Sequence, residues 1–300
     1  MHNPNIKPRS RRNWTLILRR TSQAAFLVFI LAASIRHNLF EESSVTASID
    51  ALCPFGGLET LWQAIITGGN TIPQTHPSNL ILGLGLLLGA VIGGSAFCGW
   101  ICPFGTLQDG LTFLRKKLRV PELHISPKVD RWLRYGRFLV LGLILYKTIS
   151  TVQLWFAGYD PYRTLFGLGW LFKFDLAENW PAYLVALIVL AASFLVPRAW
   201  CKYACPLGGA LSLVGNLSLL RIRRNGETCK SCAVCETPCP IGITVSRANP
   251  AISPNCIGCL ECVQACPRKG ALEVQLAPSW WSALKQIFRK QTRPATVSGD

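Results

Sequence analysis

Four stretches of this chain run nearly free of charge, and polar or basic segments separate them. The first extends from Thr21 to Ile35 and gains length if Leu39 and Phe40 join it while Arg19, Arg20 and Arg36 snorkel. The second runs from Asn79 to Phe97, the third from Phe138 to Phe156 with Lys147 inside it, and the fourth from Trp180 to Val196. A bilayer asks for about 20 apolar residues per helix. The pattern therefore predicts membrane spans at about 21–40, 79–97, 138–156 and 180–196, within a membrane domain of residues 21–220. Gly85, Gly89 and Gly93 recur every fourth residue and predict a small-residue face for close helix packing. Leu107, Leu111, Leu114 and Leu118 predict an amphipathic helix on the membrane surface, and Leu61–Ile66 a short interfacial one. Beyond residue 220 the long apolar runs stop. Residues 221–277 predict a separate small α+β domain, and residues 278–300 an interfacial helix with a disordered tail.

Composition agrees with a membrane protein: 50% of the residues are hydrophobic and only 15% charged, against about 25% charged in soluble domains. The formal net charge of +16 raises nucleic acid as a partner. The positions of the charges exclude it, because they flank apolar spans and so point to lipid and topology. Lys7, Arg9, Arg11, Arg12, Arg19 and Arg20 precede the first span. Arg115, Lys116, Lys117, Arg119, Lys128, Arg131, Arg134 and Arg137 lie between the second and third. The loops after the first and third spans hold little more than Arg36, Arg163 and Lys173. Positive-inside orientation then expects a basic arm of residues 1–20, the Cys98 loop and all residues after Arg198 in the cytoplasm of a multi-pass inner-membrane protein. No small-residue cleavage site follows the first run, so it reads as retained.

The segment Cys229–Pro267 contains C-x2-C-x2-C-x3-C-P twice, once at Cys229, Cys232, Cys235 and Cys239, and again at Cys256, Cys259, Cys262 and Cys266. This is the bacterial two-cluster ferredoxin run, in which the fourth cysteine crosses to the other cluster. The expected ligand sets for two [4Fe–4S] clusters are therefore Cys229, Cys232, Cys235 and Cys266, and Cys256, Cys259, Cys262 and Cys239. Zinc or disulfides fit less well, because neither calls for a doubled C-x3-C-P ending. Cluster assembly needs a reducing compartment, which agrees with the cytoplasmic side.

Five cysteines remain. Cys98 and Cys102 form C-x3-C-P directly after the second span, and Cys201 and Cys205 repeat it after the fourth. Cys53-Pro54 and Asp160-Pro161 open similar stretches ahead of them, so the membrane domain reads as two repeated hairpins. The repeat would bring Cys98, Cys102, Cys201 and Cys205 to one site on the cytoplasmic rim. They would act there as metal or cluster ligands, as a thiol–disulfide couple, or as buried Cys-Pro turns. Cys53 falls in the outward loop. His76 reads as an ordinary loop histidine, and Lys147 as either a functional charge or a snorkelling one.

The two C-x3-C-P pairs followed by the twin ferredoxin run resemble the NapH/MauN group of ferredoxin-type membrane proteins over roughly residues 16–267. The nitrous-oxide reductase regulator and CcoG polyferredoxins are more distantly similar. The resemblance implies an all-α four-helix membrane bundle with a cytoplasmic two-cluster ferredoxin domain. It also implies a quinol dehydrogenase component that passes electrons from the quinol pool, through a partner iron–sulfur or cytochrome protein, toward a reductase. Cys53-Pro-Phe-Gly-Gly departs from the NapH pattern and implies a different partner. The rival expectation is an assembly factor that uses the rim thiols to mature another metalloenzyme. No flavin or haem C-x-x-C-H pattern adds a further cofactor.

Overall fold

The computed structural model describes residues 14–40, 53–68, 78–151, 153–172, 174–247, 253 and 255–276. The charges at Lys7–Arg12, His76 and the expected helix after Pro278 lie outside them. The described chain begins with α1 (Trp14–Leu39), α2 (Pro54–Ile66), α3 (Ser78–Gly93), α4 (Ala96–Trp100) and α5 (Pro103–Lys117). After α6 (Pro127–Leu133) come α7 (Gly136–Thr151), α8 (Pro161–Phe166), α9 (Gly169–Phe172), α10 (Leu176–Leu195), α11 (Ala199–Tyr203) and α12 (Pro206–Val214). Strands β1 (Leu220–Arg224) and β2 (Leu272–Leu276), with α13 (Glu261–Ala265) between them, complete the fold.

Among the described residues, two helices are long and apolar enough to cross a membrane, α1 with 26 residues and α10 with 20. The other two expected spans are shorter. α3 stops at Gly93 because Gly94 takes a left-handed φ of 62°, which ends the helix and starts α4 as a separate piece. α7 ends at Thr151, so Trp155–Gly158 is a separate 3₁₀ turn rather than the end of a span. Lys147 is half-buried in the last turns of α7. Large apolar side chains face outward on all four helices, among them Phe29 on α1, Ile81 on α3, Leu139 on α7 and Leu187 on α10. A protein in water rarely exposes such a continuous apolar surface, and lipid is its natural solvent.

The glycine face falls elsewhere than expected. A Cβ on Gly85 or Gly89 would meet nothing within 4 Å, and one on Gly93 would touch only nearby Ala96. The close approach is between Gly57 of α2 and Gly83 of α3, where a Cβ on Gly83 would come within 2.4 Å of the Gly57 carbonyl oxygen. That contact folds α2 back along α3. On α5 Pro103, Phe104, Gly105, Gln108 and Arg115 are buried, whereas Leu114 and, just past its end, Leu118 are exposed.

The two halves interlock reciprocally. α1 packs on its own α5 and on α8, as α7 packs on its own α12 and on α2. α3 packs on α12, as α10 packs on α5. The repeat expected from the cysteine motifs is thus present in three dimensions. Beyond it, β1 and β2 pair antiparallel with Ile222 opposite Val274, over a small core of Ile222, Val245 and Leu272. So small a core is marginal alone. Ligands held by the surrounding cysteines would contribute to its folding.

Candidate functional site

In the β1–β2 domain one cavity is lined by Cys229, Cys232, Cys235 and Cys266, and another by Cys239, Cys256, Cys259 and Cys262. Each draws three cysteines from one motif and the fourth from the other. Ser231, Ala233, Gly258 and Leu260 adopt left-handed φ between cysteines, curling the loops around the cavities. Burial pushes the Cys235 and Cys259 thiols up to about 12 and Cys256 to about 11. At Cys229 burial is outweighed by hydrogen bonding and charge from Arg224, and its thiol lies lower than usual. Thiols must lose their protons to ligate, so any metal bound here competes with protons.

The rim motifs build a third cavity, between the repeats. Its walls include Cys98, Cys102, Cys201 and Cys205. They also include Cys53, which corrects its assignment to the outward loop. Because α2 folds back along α3, its first residues enter the bundle, and Cys53 Sγ lies 3.6 Å from Asp160 Oδ2 at the start of α8. Cys53, Cys102, Asp160 and Cys205 all precede a proline at a helix start. Proline is pre-organised for that position. Cys53 and Cys205 accept hydrogen bonds from the amides of Gly56 and Gly208 at 3.4 and 3.3 Å, and Asp160 from that of Tyr162 at 2.9 Å. Burial raises the thiols here too, Cys102 to about 12. Gln108, fully buried, donates to Cys201 Sγ at 3.0 Å and accepts from Ser193.

Charges the motifs did not announce hold the cavity together. Arg198, in a left-handed conformation and wholly buried, grips both oxygens of Asp109 at 2.7 Å and donates to the Cys98 carbonyl at 2.9 Å. Arg19 donates to Asp109 at 2.7 Å, to the Gly99 carbonyl at 2.9 Å and to Glu261. It is buried, not snorkelling. Burial alone would raise the Asp109 carboxyl, but Arg198 and Arg19 hold it below the usual range. The sequence does not mark out Asp109, one of three acids with Glu122 and Asp130 in a basic loop.

The ferredoxin-like loops rest directly on the first rim motif. Trp100 Nε1 donates to the Gly258 carbonyl at 2.9 Å, and a Cβ on Gly99 would stand 2.3 Å from the Ile257 carbonyl oxygen. Arg134 donates to the Ile241 carbonyl at 2.7 Å and Arg137 to Asn255. Ile241 and Ile257 line both the Cys239/Cys256/Cys259/Cys262 cavity and the thiol cavity. One wall separates the two.

A 4Fe-4S binding domain family matches twice, at residues 75–121 and 178–225, and a 4Fe-4S dicluster domain family matches at 221–267. The chain resembles the ferredoxin-type NapH and MauN proteins. It is 32% identical to the ferredoxin-type protein NapH of Haemophilus influenzae over 61% of this chain and 63% of that protein. To the methylamine utilization ferredoxin-type protein MauN of Paracoccus denitrificans it is 28% identical over 77% and 79%. To YccM of Escherichia coli, named for electron transport, it is 29% identical over 76% and 64%. It thus spans less than two thirds of NapH and of YccM. No solved structure matches. The match at 75–121 spans Cys98 and Cys102, that at 178–225 spans Cys201 and Cys205, and the dicluster match covers all eight ferredoxin cysteines.

Proposed function

We propose that this protein is a membrane-embedded iron–sulfur electron carrier that links the quinol pool to a partner redox protein serving a reductase. Cys229, Cys232, Cys235 and Cys266 hold one [4Fe–4S] cluster, and Cys239, Cys256, Cys259 and Cys262 hold the second. The donor sets fit such clusters, with four thiols around each cavity and loops curled between them. Bound clusters supply one-electron transfer without making or breaking bonds to the chain. The chain's own part is to fix their positions against the bundle. Four spans hold the protein in the inner membrane with the basic arm, both rim motifs and the ferredoxin domain on the cytoplasmic side. The rim cysteines are the redox or ligand element nearest the second cluster.

The wall shared by Ile241 and Ile257 carries this reading, since it puts the second cluster's thiols next to the rim thiols and leaves the Cys229 set farther along the chain of sites. The order of transfer is thus bundle, second cluster, first cluster, or the reverse. EPR on the protein in lipid nanodiscs, titrated first with quinol and then with dithionite, tests it. Signals from at least the two ferredoxin [4Fe–4S] clusters, reduced by quinol, are expected. Absence of any cluster signal under either reductant overturns the assignment, and signals that only dithionite raises remove the quinol pool as donor.

A further inference from the structure

The cavity between the repeats has more thiols and more room than a structural turn needs. It encloses about 60 Å3, against about 20 and 10 Å3 at the two ferredoxin cavities. Its sulfurs come in pairs from halves that pack reciprocally, Cys98 and Cys102 from one and Cys201 and Cys205 from the other. The family matched at both halves is described as 4Fe-4S binding, yet each match holds only two cysteines in a C-x3-C-P pair. A [4Fe–4S] cluster takes four. The stoichiometry closes only if the two halves share one.

The surroundings favour an anionic group. The N-termini of α5 and α12 begin at Cys102 and Cys205, Arg137 lines the wall, and the Arg198 guanidinium is bonded to the Cys98 backbone. Among the described residues no three His, Cys, Asp or Glu side chains stand at single-ion spacing. The same holds at the ferredoxin cysteines, where the matched family binds clusters.

We propose that Cys98, Cys102, Cys201 and Cys205 together hold a third iron–sulfur cluster at the joint of the repeats. Cys53 stands at its edge as a fifth, non-ligating thiol, where the second repeat has Asp160. This rests on the reading of the chain as an iron–sulfur electron carrier. It adds a ligand set that no single motif contains.

The test is iron and acid-labile sulfide counted on the full-length protein, loaded anaerobically with ferrous iron and sulfide in nanodiscs. About 12 irons per chain are expected, falling to about 8 in C98S/C201S with the ferredoxin EPR signals kept, and to about 4 in C232S/C259S. C53S should keep about 12. A wild-type count of about 8 that C98S/C201S leaves unchanged overturns the third cluster. Loss of four irons in C53S overturns the assignment of ligands. If C232S/C259S loses no iron, the ferredoxin reading itself fails, whatever the rim holds. Should C98S/C201S not fold, maleimide labelling of the unaltered protein decides. The rim thiols should be blocked when iron is loaded and react after chelation, and equal labelling in both states overturns the proposal.

Discussion

Two five-residue motifs, Cys98-Gly-Trp-Ile-Cys102 and Cys201-Lys-Tyr-Ala-Cys205, share spacing, fold and cavity, but their intervening side chains face different neighbours. In the first, Gly99 leaves room for the Ile257 carbonyl and Trp100 donates to that of Gly258. In the second, Lys202 lies 3.2 Å from Asp130, and Tyr203 donates to the same carboxylate at 2.6 Å. One motif therefore carries the ferredoxin domain, while the other is tied to α6 between the repeats. A repeat supplies matched thiols, and divergence between its cysteines makes its two halves unequal.

Substitutions at matched positions test that division. Arg198, one helix start before the second motif, reaches across to the first. Arg198→Met should cost about 3 kcal/mol, the low end for a buried pair that loses one partner, because Arg19 and Gln23 still reach Asp109. Thermal unfolding in detergent measures it, and a change under 1 kcal/mol would show that the joint does not depend on this cross-link. Gly99→Ala puts a methyl group against the Ile257 carbonyl. It should loosen the ferredoxin domain by about 1–3 kcal/mol, seen as faster proteolysis of residues 221–276 with the bundle intact. Trp100→Phe and Tyr203→Phe each remove one hydrogen bond, about 1 kcal/mol. Only the first should raise that proteolysis, and equal effects would erase the distinction. Lys202→Ala should cost about 1 kcal/mol or less, because Arg134 and Tyr203 still hold Asp130.

The pH response follows from Asp109. Its carboxyl is held below the usual range, so its stabilisation is complete above the unfolded value of about 3.9 and is lost as pH falls through the folded one. Unfolding temperature should drop below about pH 4, and Asp109→Asn should flatten that acid limb.

The ferredoxin cysteines were legible because all eight lie within one short segment that repeats a single spacing, and the structure gathers them around two cavities. The repeat was legible from the two C-x3-C-P pairs. Cys53 was not, since its place depends on the Gly57–Gly83 contact, and hydropathy does not register which glycines touch. Arg19 misled because a basic residue before an apolar run reads the same whether it marks topology or grips Asp109 and Glu261. The second span was overextended because uncharged Gly93-Gly94 ends a helix without interrupting the apolar run.

The contacts that seat Ile257 and Gly258 also decide what kind of conductor this is. Hydrogen bonds from Trp100 and Arg137, the ion pair of Arg19 with Glu261 and the bare backbone of Gly99 hold the loops around Cys256 and Cys259 in one pose against the bundle. Carriers that swing between docking sites slow as the solvent thickens. A relay soldered at its first junction does not, and its throughput is set by the spacing of its centres and by arrivals at its two ends.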